Sequence, residues 1–368
     1  MAEDFFSHFQ IVRDPRIERT KKHPLESILF IAICGVICGA DSWIEIAQFG
    51  EDKEEWLRRY VELPHGIPSH DTFGRVFALV DPEEFQTCFL SWIRSFYRQT
   101  SREVIAIDGK TLRRSHDRSN GVEALHLVHA WASENHLMLG AVKTEGDSNE
   151  IPAIPKLLKL LDLKGAIVTL DAMGTQTEIA HKIVEKKADY VMALKGNQGL
   201  LHEDVQTYWA DEKLRQAADC YEVVEKGHGR IEQRRYWMTT DVDWLEPKAD
   251  WSGLRSIGMV EAQRTIEGQT TMERRYYLSS LKADARELAK AIRSHWTIEN
   301  GLHWVLDIAF REDECRVRIG HAAQNFALLR RIAVNLLKKD TATKVGIKAK
   351  RLKAGWGSAY LEKILWGN

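Results

Sequence analysis

Two aspartates set in similar surroundings carry the first sign of chemistry in this chain. Val104-Ile105-Ala106-Ile107 is a short apolar run ending in Asp108-Gly109, and Ala166-Ile167-Val168-Thr169-Leu170 ends in Asp171. Such runs predict buried strands, and in an open α/β sheet ligands gather beyond the carboxyl ends of strands. One aspartate after a strand says little, because aspartate often opens a turn. Two such strands joined by one helical crossover would bring both carboxylates to one crevice. Carboxylates about 3–5 Å apart repel, and one tends to be neutralised. A divalent cation removes the conflict: Mg²⁺ prefers oxygen ligands and keeps several waters. Two ions about 3.5–4 Å apart can activate an attacking oxygen and stabilise a leaving one at phosphorus. The predicted chemistry is the cutting or joining of nucleic-acid phosphodiester bonds.

A third carboxylate, Glu299, lies in Arg293-Ser294-His295-Trp296-Thr297-Ile298-Glu299-Asn300-Gly301-Leu302-His303-Trp304. On a helix His295, Glu299 and His303 fall at i, i+4 and i+8 and share one face. Ile298, Leu302 and Ala309 turn toward another face that would seat on the sheet. Spacing alone leaves Glu299 open between a metal ligand and an exposed helix glutamate. His295 and His303 could bind Zn²⁺ with Glu299, touch phosphate, or orient Glu299; the two aspartates argue for a hard ion. Asp307 belongs to the same polar face or pairs with a nearby cation. Trp296 and Trp304 could stack on an unpaired base, although tryptophan is usually core. Lys110, Arg113 and Arg114 could hold phosphate oxygens or line a solvated loop. Lys195, Asn197 and Gln198 could contact the DNA backbone or form a turn with Gly196 and Gly199. Asn149-Glu150 read as a helix N-terminus in preference to support behind the site.

These residues need elements to hold them. Residues 1–100 read as short helices with tight turns: a run from Pro24 to Gly39, a segment capped by Asp41, a helix capped by Ser69, and one opened by Asp81-Pro82. This is a small helical domain, either a DNA-binding unit of the helix-turn-helix kind or a plain cap without a basic recognition helix. Strand-helix alternation then predicts an α/β domain over residues 101–340, with strands also at Leu125–Ala132, Leu137–Val142 and Tyr190–Leu194 and helices at Asn149–Leu161 and Thr177–Lys186. Alternating strands over about residues 220–281 read as a β insertion. A basic tail follows at 341–368. Between Leu328 and Lys353 nine Lys and Arg stand against Asp340 alone, a local charge of +8 that suits DNA.

Composition narrows the class. The 368 residues, 44% apolar, afford a core and suggest about two domains. A formal charge of −1 means that any footprint for nucleic acid is local. Five scattered cysteines without a CxxC pair read as reduced thiols of a cytosolic protein. The apolar run Ile28–Ala40 is shorter than the ~20 residues a bilayer span needs, and Met1-Ala2-Glu3-Asp4 is acidic where a signal peptide is basic. The expectation is a cytoplasmic, nucleoid-associated protein.

Longer motifs sharpen this. Ile107-Asp108-Gly109-Lys110-Thr111-Leu112-Arg113, Leu170-Asp171-Ala172-Met173-Gly174 and His295-Trp296-x-Ile298-Glu299-Asn300-x-Leu302-His303-Trp304-x-Leu306-Asp307 resemble the DDE-type insertion-sequence transposases, nearest the H-repeat-associated (Rhs-element-linked) group. Gly66-Ile67-Pro68-Ser69-His70-Asp71-Thr72-Phe73 and Lys195-Gly196-Asn197-Gln198 resemble it too, so the likeness covers nearly the whole chain. The resemblance implies a ribonuclease-H-like core and Asp108, Asp171 and Glu299 as catalytic and metal-binding triad. It implies two Mg²⁺ (or Mn²⁺) ions, cleavage at transposon ends with strand transfer, and a DNA-bound homodimer. A β insertion before the glutamate helix, known in a related larger group, fits residues 220–281. That group's Tyr-Arg-Glu-Lys signature is not kept: Ile292, His295 and Leu306 stand at its other three positions. A nuclease without strand transfer and an inactive domesticated DNA-binding copy are the rival readings.

Overall fold

The computed structural model describes residues 5–117, 121–145, 149–227 and 229–367. The acidic N-terminal tetrapeptide lies outside the described residues. The chain opens with five helices: α1 (Leu25–Ile37), α2 (Trp43–Asp52), α3 (Glu54–Leu57), α4 (His70–Leu79) and α5 (Pro82–Phe96). Their starts follow side-chain chemistry. Ser69 accepts from the Thr72 N–H, and Asp81 accepts from the Glu83 and Glu84 N–H groups with Pro82 in the first turn. The α2 cap is Ser42, not Asp41, which instead donates its backbone N–H to Glu45.

A sheet follows: β1 (Val104–Thr111), β2 (His126–Ala132), β3 (Leu137–Lys143), α6 (Ala153–Leu160), β4 (Ile167–Leu170), α7 (Thr177–Glu185) and β5 (Asp189–Leu194). The order β3-β2-β1-β4-β5, with β1, β4 and β5 parallel and the β1-β2-β3 meander antiparallel, is the ribonuclease-H arrangement. The helix expected from Asn149 starts only after Pro152; Asn149 Oδ1 instead accepts from the Ile151 N–H at 3.1 Å to close a turn.

After α8 (Leu200–Ala210) and α9 (Glu212–Ala217) come β6 (Asp219–Gly227), β7 (Arg230–Thr239), β8 (Ser256–Ile266) and β9 (Gln269–Ser279). They do not form a sheet of their own. β9 pairs antiparallel with β5, from Val191↔Ser279 to Leu194↔Tyr276, so nine strands make one sheet ending in β9-β8-β7-β6.

Five more α-helices complete the chain: α10 (Ala285–His295), α11 (Trp304–Phe310), α12 (Ala322–Lys339), α13 (Ile347–Trp356) and α14 (Ser358–Trp366). α10 lays Ala285, Leu288, Ala289 and Ile292 on Val104, Ile167 and Val191 of β1, β4 and β5. Beside it α12 packs against α1, α4, α5 and β3. Its Asn335 amide bridges the Met138 N–H and C=O at 2.9 and 2.8 Å, covering the free edge of β3. The N- and C-terminal helices thus share one apolar core with the sheet.

Candidate metal centre

Alternation along strands builds the site. Successive side chains of a strand face opposite sides of the sheet. Asp108 continues the Val104–Ala106 face of β1, Asp171 the Thr169 face of β4, and Lys195 the Val191–Ala193 face of β5. All three therefore look toward α10. With Glu299, His295 and Trp296 they line one cavity of about 390 Å³. Asp108 does not end its strand, as the sequence suggested. β1 runs on to Thr111 against β2, and only the parallel partner β4 stops, at Leu170 opposite Ile107. That shorter neighbour opens the space into which the carboxylate points.

Glu299 is brought in by a break in helical geometry. α10 ends at His295, and residues Glu299–His303 form a single π-helical turn before α11. An ideal helix of 3.6 residues per turn drifts over eight residues, so His295, Glu299 and His303 would not stay aligned. The wider turn recovers that drift. π turns of this kind recur at functional sites. Leu302 is fully buried below the turn, and Gly301 allows close approach: a Cβ there would lie 2.8 Å from Trp131 Cζ2.

The ligand atoms of Asp108, Glu299 and His303 lie within 4.8 Å of one another. His303 Nδ1 is 3.6 Å from Asp108 Oδ2 and 3.7 Å from Glu299 Oε2. Asp171 faces the same cavity but is not in that tight group; its Oδ1 accepts from the Gly174 N–H at 3.1 Å. Burial, then the charge of Glu299, push the Asp108 carboxyl up to about 8, with Glu150 and Asp171 adding to the effect. Glu299 moves the other way, held low first by its hydrogen bond with His303. One proton is thus kept by the pair, on Asp108. Clustered carboxylates, all offering oxygen, are a donor set that fits a hard divalent cation.

Other residues singled out in the sequence are placed differently. Lys110 is buried and pairs with Asp307 at 2.7 Å and Asp313 at 3.5 Å, so it is not free to hold phosphate. Arg113 is exposed beside Asp313, and Arg114 is exposed. Asn197 and Gln198 donate to the backbone carbonyls of Ala172 and Thr175 at 2.8 and 2.6 Å, bracing the loop after Asp171 instead of facing DNA. Lys195 is exposed at the cavity. His295 is bound through Nδ1 to Thr169 Oγ1 at 2.9 Å, and burial lowers its pKa. His303 is buried against His129. Trp296 and Trp304 are 50% and 60% exposed, so neither is core. Four of the nine cations of the +8 segment are consumed by folding: Arg330, Arg331, Lys350 and Arg351 are buried.

His129 and Glu312, which no sequence pattern singled out, form with Arg331 a buried chain behind His303. Likewise not singled out was a groove of about 950 Å³ between the β6–β9 hairpins and the glutamate helix. Arg230, Arg234, Arg264, Arg275, Arg293 and Lys338 line it against only Glu232 and Glu273. Arg275 lies over the Trp296 ring, 5.6 Å from its centroid. The available signal was the density of arginine on the strands of the insertion.

Comparison with known proteins bears on this geometry. A family model described as a transposase DDE domain matches residues 99–336, and a model of the domain associated with it matches residues 6–93. The chain belongs to the DDE transposase family. A protein of Escherichia coli strain K12 carrying an H repeat-associated transposase name is 40% identical over 368 residues, covering 98% of this chain and 97% of that protein. A Xanthobacter autotrophicus protein encoded 3′ of dhlA is 46% identical over 280 residues, 75% of this chain and 94% of its own. A solved piggyBac transposase synaptic complex with hairpin DNA superposes with a TM-score of 0.47 at 11% identity, covering 98% of this chain and 77% of that one. The transposase is a DNA-processing enzyme of the polynucleotidyl-transferase class. Among its described residues no helix is long and apolar enough to cross a membrane.

Proposed function

We propose that Asp108, Asp171 and Glu299 are the catalytic, metal-binding carboxylates of this transposase, which cuts DNA at insertion-sequence ends and joins the freed 3′-hydroxyl to target DNA. The observation that carries this is their convergence on one cavity from β1, β4 and the π turn. Two Mg²⁺ (or Mn²⁺) ions held there would activate the attacking oxygen and stabilise the leaving one. Asp108 must give up its proton for the site to load. Lys195, at the cavity, meets a phosphate oxygen. The arginine-lined groove leads a DNA strand to the carboxylates, and Trp296, backed by Arg275, offers a face for a base. Holding two transposon ends together calls for a homodimer on DNA, at work in the cytoplasm on the nucleoid.

The test is Mg²⁺-dependent cleavage of DNA flanking the protein's own gene, with wild type and Asp171→Ala. The variant is expected to bind this DNA normally and to cut it at least 1,000-fold more slowly, a loss on the order of 4 kcal/mol in the barrier. Full cleavage by Asp171→Ala would sink the assignment. A second reading, cleavage without strand transfer, is favoured by the signature positions around Glu299: Leu306 is buried and His295 is tied to Thr169, so neither grips a second DNA. Joined products in the same reaction exclude it.

A further inference from the structure

We propose that His303 is a positioning residue: the chain Arg331–His129–His303 fixes its Nδ1–H on Asp108 and Glu299, so that it orients two carboxylates of the site and is not itself a metal ligand. This rests on the metal-centre reading above.

Of the three linked side chains, Arg331 is the one that can only donate. Arg331 Nε and Nη2 lie 3.1 and 3.0 Å from His129 Nε2. A guanidinium has no acceptor, so His129 Nε2 must carry its lone pair. A neutral imidazole has one proton, which then sits on His129 Nδ1. That nitrogen faces His303 Nε2 at 3.3 Å. His303 Nε2 therefore accepts, and the His303 proton sits on Nδ1, the atom that faces Asp108 Oδ2 and Glu299 Oε2. A proton on His303 Nε2 would set two N–H groups against each other, so the His129 contact keeps the His303 proton on Nδ1.

The chain is rigid and dry. Arg331 is anchored by both oxygens of Glu312, at 2.5 and 3.1 Å, and by the Ala327 carbonyl at 2.7 Å. His129, Arg331 and Glu312 are 0–1% exposed, and His303 5%. Local geometry sets the two rings together: His129 is the cross-strand partner of Asp108, and the π turn lowers His303 onto it. Below them the next helical turn pairs Asp307 with Lys110, so one polar seam runs down the helix against β1 and β2.

Distance alone would allow Asp108, Glu299 and His303 to be read as a mixed nitrogen–oxygen metal site. The direction of the hydrogen bonds excludes it, because a ligating imidazole needs a bare nitrogen facing the ion. What remains is an all-oxygen centre with an N–H donor beside it, which suits hard cations over zinc. Partners of this kind behind a metal ligand are worth about 10- to 100-fold in metal affinity.

Two-bond ¹H–¹⁵N spectra of protein with ¹⁵N-labelled histidine test the assignment directly, the His303 signals being identified by their loss in His303→Asn. The expected result is an Nδ1–H tautomer for both His129 and His303 in metal-free protein, with the His303 Nδ1–H retained when Mg²⁺ is added. An Nε2–H tautomer, a doubly protonated His303, or loss of Nδ1–H on Mg²⁺ addition overturns the proposal. Titration calorimetry with Mg²⁺ supplies the second arm. His303→Asn, which keeps an N–H donor near the Nδ1 position, should retain affinity within about threefold; His303→Leu should lose about 10- to 100-fold. Equal affinity of His303→Leu and wild type refutes the positioning role alone. Absence of Mg²⁺ binding to wild type refutes the metal-centre reading, while the tautomers still decide the inference.

Discussion

Asp108 carries a proton that the centre must lose before it can work. Its carboxyl sits near 8 because it is buried among other carboxylates. Binding a cation to that group expels the proton, so affinity falls as pH drops. Mg²⁺ affinity should decline about tenfold per unit below pH 8 and level off above it, measured by calorimetry at pH 6.5, 7.5 and 8.5; a flat profile would refute the raised carboxyl. Stability of the metal-free protein carries the same signature. The folded pKa lies above the unfolded one, so between about pH 4 and 8 the native state holds more protons and its stability falls as pH rises. Asp108→Asn removes the buried charge. It should leave stability near pH 4 unchanged, raise it by about 5 kcal/mol at pH 8.5, and abolish cleavage, as denaturant melts and a nicking assay would show. At this scale the short apolar runs before Asp108 and Asp171 announced two buried strands, each carrying an aspartate. Lys110 was misread because its partner Asp307 lies 197 residues further on, and no local pattern announces such a pairing.

Among the elements, the stretch from Ala285 to Phe310 does most to form the centre, and its key feature is the π turn. Periodicity placed Glu299 on a helix and on the right face, but it assumed ideal helical geometry throughout. The extra residue of the turn is set by packing: Leu302 is drawn into the core, and Trp131 Nε1 donates to Thr297 Oγ1 at 3.0 Å, pinning the backbone against β2. Gly301 faces the same indole with no room for a methyl group. Gly301→Ala should therefore lift the turn from β2, costing about 1–3 kcal/mol of stability and weakening Mg²⁺ binding through displaced Glu299 and His303. Thermal melts and calorimetry check both; wild-type values for the two would mean that the close approach is not what holds the turn. The strands of the insertion were legible in sequence only as alternation over about residues 220–281. Their outer halves are polar on both faces, as the exposure of β6 shows, and hydrophobic alternation, the signal that reveals a strand, fades there.

Across the whole molecule, the two ends of the chain close on each other. Every residue of α1 except Glu26 is buried, which leaves it no face for a DNA groove. Arg351 on α13 reaches the Val36 and Ala40 carbonyls and Asp41, tying the last helices to the first. This is why the charge of the segment from Leu328 to Lys353 overstates its surface: four of its nine cations are buried, and a charge count does not distinguish those from surface charge. The groove beside the centre was invisible to the same count, because its cations are scattered from Arg230 to Lys338 and meet only in the fold. The two surfaces make opposite predictions. Each phosphate neutralised steepens the dependence of DNA affinity on salt by about 0.7–0.9 in log–log slope. Replacing Arg230 and Arg264, both half-exposed on β7 and β8, with Gln should flatten that slope by about 1–2 without lowering stability. Replacing the exposed Lys344 and Lys348 near the start of α13 should leave it unchanged. Fluorescence anisotropy of a labelled end fragment from 50 to 300 mM salt, at roughly 50 mM steps, resolves a change of that size. A drop confined to the lysine pair would move the DNA to the helical end of the molecule and leave the groove without a role in binding.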